Sequence, residues 1–129
     1  MREILFRGKH HKTKEWIFGY YAEQSTANGA KPMIIKSYYP TNNIESIAVA
    51  PKTVGQYTGL TDKNGTKIFE GDICKVADLL YKVIFSYGQW YFDIISTEYI
   101  CCPYFYSHCG EHCEIIGNIF DNPELIKEN

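Results

Sequence analysis

Residues 57–73 read YTGLTDKNGTKIFEGDI, and the way this stretch folds decides the class of the whole chain. Asn64 followed by Gly65 supplies the positive φ that a tight hairpin needs, with Leu60 and Thr61 before it and Lys67, Ile68 and Phe69 after it. Gly71 then precedes DICKV at 72–76, which alternates as a half-buried strand does. Three carboxylates, Asp62, Glu70 and Asp72, stand in the same stretch and open a chemical interpretation beside the architectural one. On an extended chain Glu70 and Asp72 project to one side, where two carboxylates bind a divalent cation or split their pKa values for acid–base work. Against this, Asp62 opens a turn and Asp72 a strand, places where a short carboxylate accepts backbone N–H bonds. No histidine or nucleophile lies nearby in sequence, so the expected role is architectural.

Downstream, residues 80–85 and 89–95 are joined by Ser86, Tyr87 and Gly88 as a second hairpin. EIIGNIF at 114–120 reads as a closing strand with a bulge at Gly117. Asn122, Pro123 and Glu124 are a helix start, and the short helix they open must dock through Leu125 and Ile126. Upstream, EILF at 3–6 and EWIFGYY at 15–21 form a hairpin around the polar connector RGKHHKTK. By the period-2 rule Trp16, Phe18 and Tyr20 share one face, expected to be core, and Ile17 and Gly19 share the other. Residues 23–32 have a loop composition; 33–39 and 45–50 read as strands that end before Pro40 and Pro51. Short strands at this spacing predict an all-β protein built on a small barrel or sandwich. Composition and charge shift near Pro51, which suggests an N-terminal β-hairpin region over 1–50 and a barrel with a C-terminal helical turn over 51–129.

Bulk properties agree with this. At 129 residues the chain buries a core without disulfide staples, and an aromatic share of 16% favours pleated surfaces. MREILFRGKHHK is charged from its second residue and opens no apolar run suited to a signal peptide or a membrane span, so a cytoplasmic location is expected and no membrane partner. Five cysteines cannot all pair, and in a reducing cytosol they serve as free thiols or metal ligands. Residues 1–60 carry eight Lys/Arg against four Asp/Glu, a net of +4, while residues 61–129 carry five against eleven, a net of −6. That asymmetry bears on partners.

Two further clusters carry candidate chemistry. ICCPYFYSHCGEHCE holds Cys101, Cys102, His108, Cys109, His112 and Cys113, a ligand set with the chemistry of a structural zinc site. Its spacing matches no standard zinc finger, and a redox-sensitive loop or plain reduced thiols are the other interpretations. The basic front holds Arg7, Lys9, His10, His11, Lys12 and Lys14, with Trp16, Phe18 and Tyr20 behind. Cations and aromatics together are what single-strand nucleic-acid binders use, although a pI near 6.1 argues against strong non-specific binding. The same charges also suit a protein partner, the acidic half of a second copy, or mere solvation. Cys74 is expected to be a small core or surface thiol, and Trp90 with Tyr87, Tyr91 and Phe92 is expected to pack before it lines any groove.

Three segments in order, MREILFRGKHHKTKEWIFGYY, VGQYTGLTDKNGTKIFEGDI and EIIGNIFDNPELI, resemble the landmarks of the YopX family of phage and prophage proteins. The resemblance implies a small, mainly β protein with a barrel related to the SH3-like type, from temperate phages of Gram-positive bacteria. It marks Gly59, Asp62, Gly65, Glu70, Gly71, Asp72, Gly117, Asn118 and Pro123 as structural positions, and it brings no established enzymatic activity, cofactor or ligand. The expected function is that of a non-catalytic accessory protein that binds a phage or host protein or associates with itself. A nucleic-acid-binding module using the basic hairpin is the alternative, followed by a metal-dependent enzyme or zinc-stabilised module.

Overall fold

A computed structural model describes residues 3–38, 40–95 and 112–126. They form ten β-strands and short 3-10 turns, with no α-helix among the described residues, in keeping with an all-β class. No helix among them is long and apolar enough to cross a membrane. The chain divides into two compact units, Met1–Tyr57 and Thr58–Asn129.

The first unit contains β1 (Phe6–Lys9), β2 (Trp16–Thr26), β3 (Gly29–Ser37), β4 (Ile44–Ala48) and the start of β5 (Gly55–Thr61). These lie in the order β4-β3-β2-β1-β5, each neighbouring pair antiparallel. The core packs on one face of this sheet, where Ile17, Ile34 and Val49 are buried and Phe6, Ile47 and Val54 pack against them. Gly19 stands on that face, and a Cβ there would collide with the Ile35 carbonyl oxygen and press on Ile34. A glycine at this point lets β2 and β3 close.

Two expectations change here. Residues 23–32 are not a loop but the far end of the β2–β3 hairpin, in register from Glu23 opposite Pro32 to Thr26 opposite Gly29. Most side chains of this arm are solvent-exposed on both faces, so no apolar alternation marked it as strand. Pro32 is tolerated because its carbonyl, and hence its absent N–H, faces away from β2, where the carbonyl accepts from the Val49 N–H at 3.4 Å. The second change is the face of β2. Ile17 and Gly19 point into the core, whereas Phe18 is 45% and Tyr20 59% exposed. The aromatic face is the one expected to be core, but the space under β2 accepts an isoleucine and a glycine, and the strand has only one other side on which to place its rings.

The second unit holds the end of β5, β6 (Lys67–Phe69), β7 (Asp72–Val76), β8 (Leu79–Ser86), β9 (Gln89–Ile94) and β10 (Glu114–Asn118). β5 pairs with β6, and the other four form an antiparallel sheet in the order β10-β7-β8-β9. Its core is Ile68, Cys74, Val83, Phe92 and Cys113, flanked by Leu60, Val76, Tyr81, Trp90 and Ile115. Tyr87 and Gly88, with φ of 52° and 76°, make the two-residue turn between β8 and β9. The register between β10 and β7 shifts between Ile115 and Gly117, placing a bulge beside the glycine that suggested one.

At the end of the described chain stands a single 3-10 turn, Pro123–Ile126. The Asn122 side chain does not cap it. Its Oδ1 instead accepts from the Asn118 N–H at 3.2 Å, while Asn118 Oδ1 accepts from the N–H groups of Phe120 and Asp121. A Cβ on Gly117 would collide with Asn122, so this turn and the bulge are built together.

Candidate functional site

Two of the three carboxylates of the opening stretch, Asp62 and Asp72, accept backbone N–H groups. Asp62 is 5% exposed. Its Oδ1 accepts from the Asn64 and Thr66 N–H groups at 2.9 Å each, and its Oδ2 from the Ile115 N–H at 3.0 Å. One side chain thereby shapes the turn between β5 and β6 and ties it to β10. Burial pushes this carboxyl up, but the N–H groups of Ile115, Thr66 and Asn64, with Lys63 alongside, hold it below the ordinary carboxylate value. Asp72 is also buried, and its Oδ2 accepts from the Phe69 N–H at 2.7 Å. Glu70, half-buried, and Gly71, with φ of 91°, form the turn from β6 into β7, so Glu70 and Asp72 do not share an extended strand. The Gly71 N–H donates to the Val83 carbonyl at 2.8 Å and its carbonyl accepts from the Ile119 N–H at 2.9 Å. Gly59, at φ 90°, and Gly65, at φ 81°, occupy left-handed positions that favour glycine.

Of the Cys/His cluster, Cys101, Cys102, His108 and Cys109 lie outside the described residues. His112 is exposed, and Cys113 points into the core of the second unit against Cys74, both thiols fully buried. The hydrogen bond between the two free thiols, with burial, pushes the Cys74 thiol up, and the same hydrogen bond holds Cys113 down. Nothing local forecast this contact, because Cys74 is opposite Ile115 and Cys113 sits one diagonal step away across β7 and β10. Among the described residues no group of three or more His, Cys, Asp or Glu side chains is placed to hold a metal ion.

The basic front is divided between sheet and tip. Arg7 is only 7% exposed, its guanidinium 4.4 Å from the centre of the Trp16 ring, and the Lys9 ammonium lies 5.4 Å from the same ring. His10 and His11 stack at 4.9 Å. The Lys12 and Thr13 N–H groups donate to His10 Nδ1 at 3.1 and 3.3 Å, which folds the tip and leaves Lys12 and Lys14 exposed. The sequence cations are thus joined by aromatic residues whose strand spacing suggests a place in the core. Strand alternation puts Arg7 and Lys9 of β1, Trp16, Phe18, Tyr20 and Gln24 of β2, Lys31, Met33 and Ile35 of β3 and Ile44 of β4 on the face opposite the core. That face closes toward β5, where Arg7, Gly55 and Tyr57 are buried, and opens over β2 to β4, where Ile44 is 66% exposed.

A search of curated proteins found no match. Protein EF1440 from Enterococcus faecalis, known from a crystal structure, is similar with a TM-score of 0.61 over 98% of this chain and 100% of its own. At 24% identity that likeness concerns the fold alone. The model of the family described as YopX protein matches residues 5–127, nearly the whole chain. The chain belongs to the YopX family.

Proposed function

We propose that the chain is a non-catalytic binding protein of a phage, acting in the host cytoplasm through the open face of its first sheet. The observation that carries this is the exposure of Phe18 and Tyr20 at 45% and 59% on a face whose neighbours include Met33, Ile35 and Ile44. Aromatic rings left outside a sheet that has a complete apolar core on its other side suit recognition better than stability. The buried carboxylates add to the case against catalysis, since Asp62 and Asp72 already accept backbone N–H groups. In this interpretation the second unit is the scaffold, a small barrel of the SH3-like type, supported by its meander of short antiparallel strands and the bulge in β10.

The test is capture from the lysate of an induced lysogen, with and without nuclease, by the wild-type chain and by Phe18→Ser/Tyr20→Ser. Material held by the wild type and lost from the variant is the expected result. Equal capture by both proteins overturns the proposal.

A further inference from the structure

We infer that the occupant of this open face is a single-stranded nucleic acid, an inference that rests on the binding role just proposed. Charge distribution selects the partner. Among strands β1 to β4 the charged residues on the open face are Arg7, Lys9 and Lys31, and no carboxylate shares it. The two carboxylates of these strands, Glu23 and Glu45, stand on the core side of the sheet, where each accepts from a tyrosine hydroxyl, Tyr21 at 2.8 Å and Tyr38 at 2.7 Å. Strand residues that bring only cations to this face, in a unit that also exposes Lys12 and Lys14 at its tip, match a polyanion.

The order of side chains along β2 matches a strand of bases. From the tip, Lys12 and Lys14 come first, then Lys9 against Trp16, then Phe18 and Tyr20, and finally Lys31 opposite Gln24. Residues two apart on one face are about 7 Å from each other, so Trp16 to Gln24 makes a track of roughly 27 Å with cations at both ends. Trp16 has its ring beneath Arg7 and Lys9, which makes it a positioning residue for those cations. Phe18 and Tyr20 are the exposed rings, and stacking two or three bases on aromatics of an open sheet is an established way to hold a single strand. Phosphate contact falls to Lys9, Lys12, Lys14 and Lys31, because Arg7 is buried.

The experiment is fluorescence anisotropy of labelled 15-nucleotide oligo-dT and oligo-U, and of a duplex of the same length, titrated with the full chain at several salt concentrations. Single strands should bind more tightly than the duplex, whose bases are not free to stack. Phe18→Ser/Tyr20→Ser should weaken binding by about tenfold for each ring lost. Lys12→Glu/Lys31→Glu should lower the slope of log affinity against log salt by about 1.4, the value for two phosphates on a single strand. All four positions are solvent-facing, and unchanged thermal melting of each variant confirms that folding is not being measured. Absence of binding at 50 mM salt overturns the inference, as does equal binding by the aromatic variant or a preference for duplex. If oligonucleotides fail while lysate capture remains nuclease-resistant and dependent on Phe18 and Tyr20, nucleic acid is the wrong occupant and the binding face stands. If capture too is indifferent to those residues, both fall.

Discussion

Replacement of Asp62 by Asn separates architecture from chemistry in the opening stretch. The wild-type carboxylate accepts three backbone N–H groups, two on Oδ1 and one on Oδ2. Asparagine keeps one accepting oxygen, which serves Asn64 and Thr66, but turns its NH2 group toward the Ile115 N–H. One charge-assisted bond is lost and one buried donor is left facing another, a cost of about 2–4 kcal/mol to the second unit. Asp62→Ala removes all three bonds and should cost more. The assay is urea unfolding followed by Trp90 fluorescence in a Trp16→Phe background, which reports on the unit that contains Asp62. The folded carboxyl titrates below its unfolded value of about 3.9. Its stabilisation is therefore present above that value and is lost as pH falls through the folded pKa. The gap between wild type and Asp62→Asn should accordingly be full at pH 7 and narrow toward pH 2, where the protonated wild type resembles the amide. A variant within about 0.5 kcal/mol of wild type at pH 7, where surface changes commonly fall, or a gap indifferent to pH, refutes the structural role.

Gly19→Ala should destabilise the first unit by about 2 kcal/mol or more, because the added methyl meets the Ile35 carbonyl, and Trp16 fluorescence in a Trp90→Phe background reads the loss. Val83→Ala, a truncation in the core of the second unit, should cost about 2–3 kcal/mol and leave the first unit's transition in place. Cys74 and Cys113 should resist a thiol reagent in the native protein and react on unfolding, as peptide mass spectrometry after timed labelling will show; prompt native labelling would place them elsewhere.

The parts of the fold legible in the sequence were those in which local chemistry and tertiary structure ask for the same residue. Gly65 has the positive φ expected of the hairpin turn, Gly117 adjoins a bulge, and DICKV is β7. Where both faces of a hairpin arm meet water, as from Glu23 to Pro32, periodicity had no contrast to display and composition alone suggested a loop. The aromatic stripe of β2 misled for a different reason. Alternation identifies which residues share a face, but which face is buried depends on the partner elements, and here Ile34 and Val49 claim Ile17. The cations of the candidate site were visible from Arg7 to Lys14, whereas Lys31 joins them only through the register of β2 with β3. The contact of Cys113 with Cys74 arises from pairing across 39 positions of chain, which no local pattern encodes.

The strand that spans the division between the units sets how the protein can be dissected. A fragment stopped at residue 50 would forfeit Gly55 and Gln56, the partners of Arg7 and Phe6, along with the Thr53 hydroxyl that accepts from the Lys9 N–H at 2.9 Å and the packing of Val54. Stopping at Tyr57 keeps all of these, and it also keeps the Tyr57 N–H on the Leu5 carbonyl at 2.8 Å. A complementary piece beginning at Thr58 retains the hydroxyl that donates to the Ile68 carbonyl at 2.8 Å. A cut between residues 57 and 58 therefore leaves these partners of β1 with the first unit, where a cut at the composition change upstream takes them away.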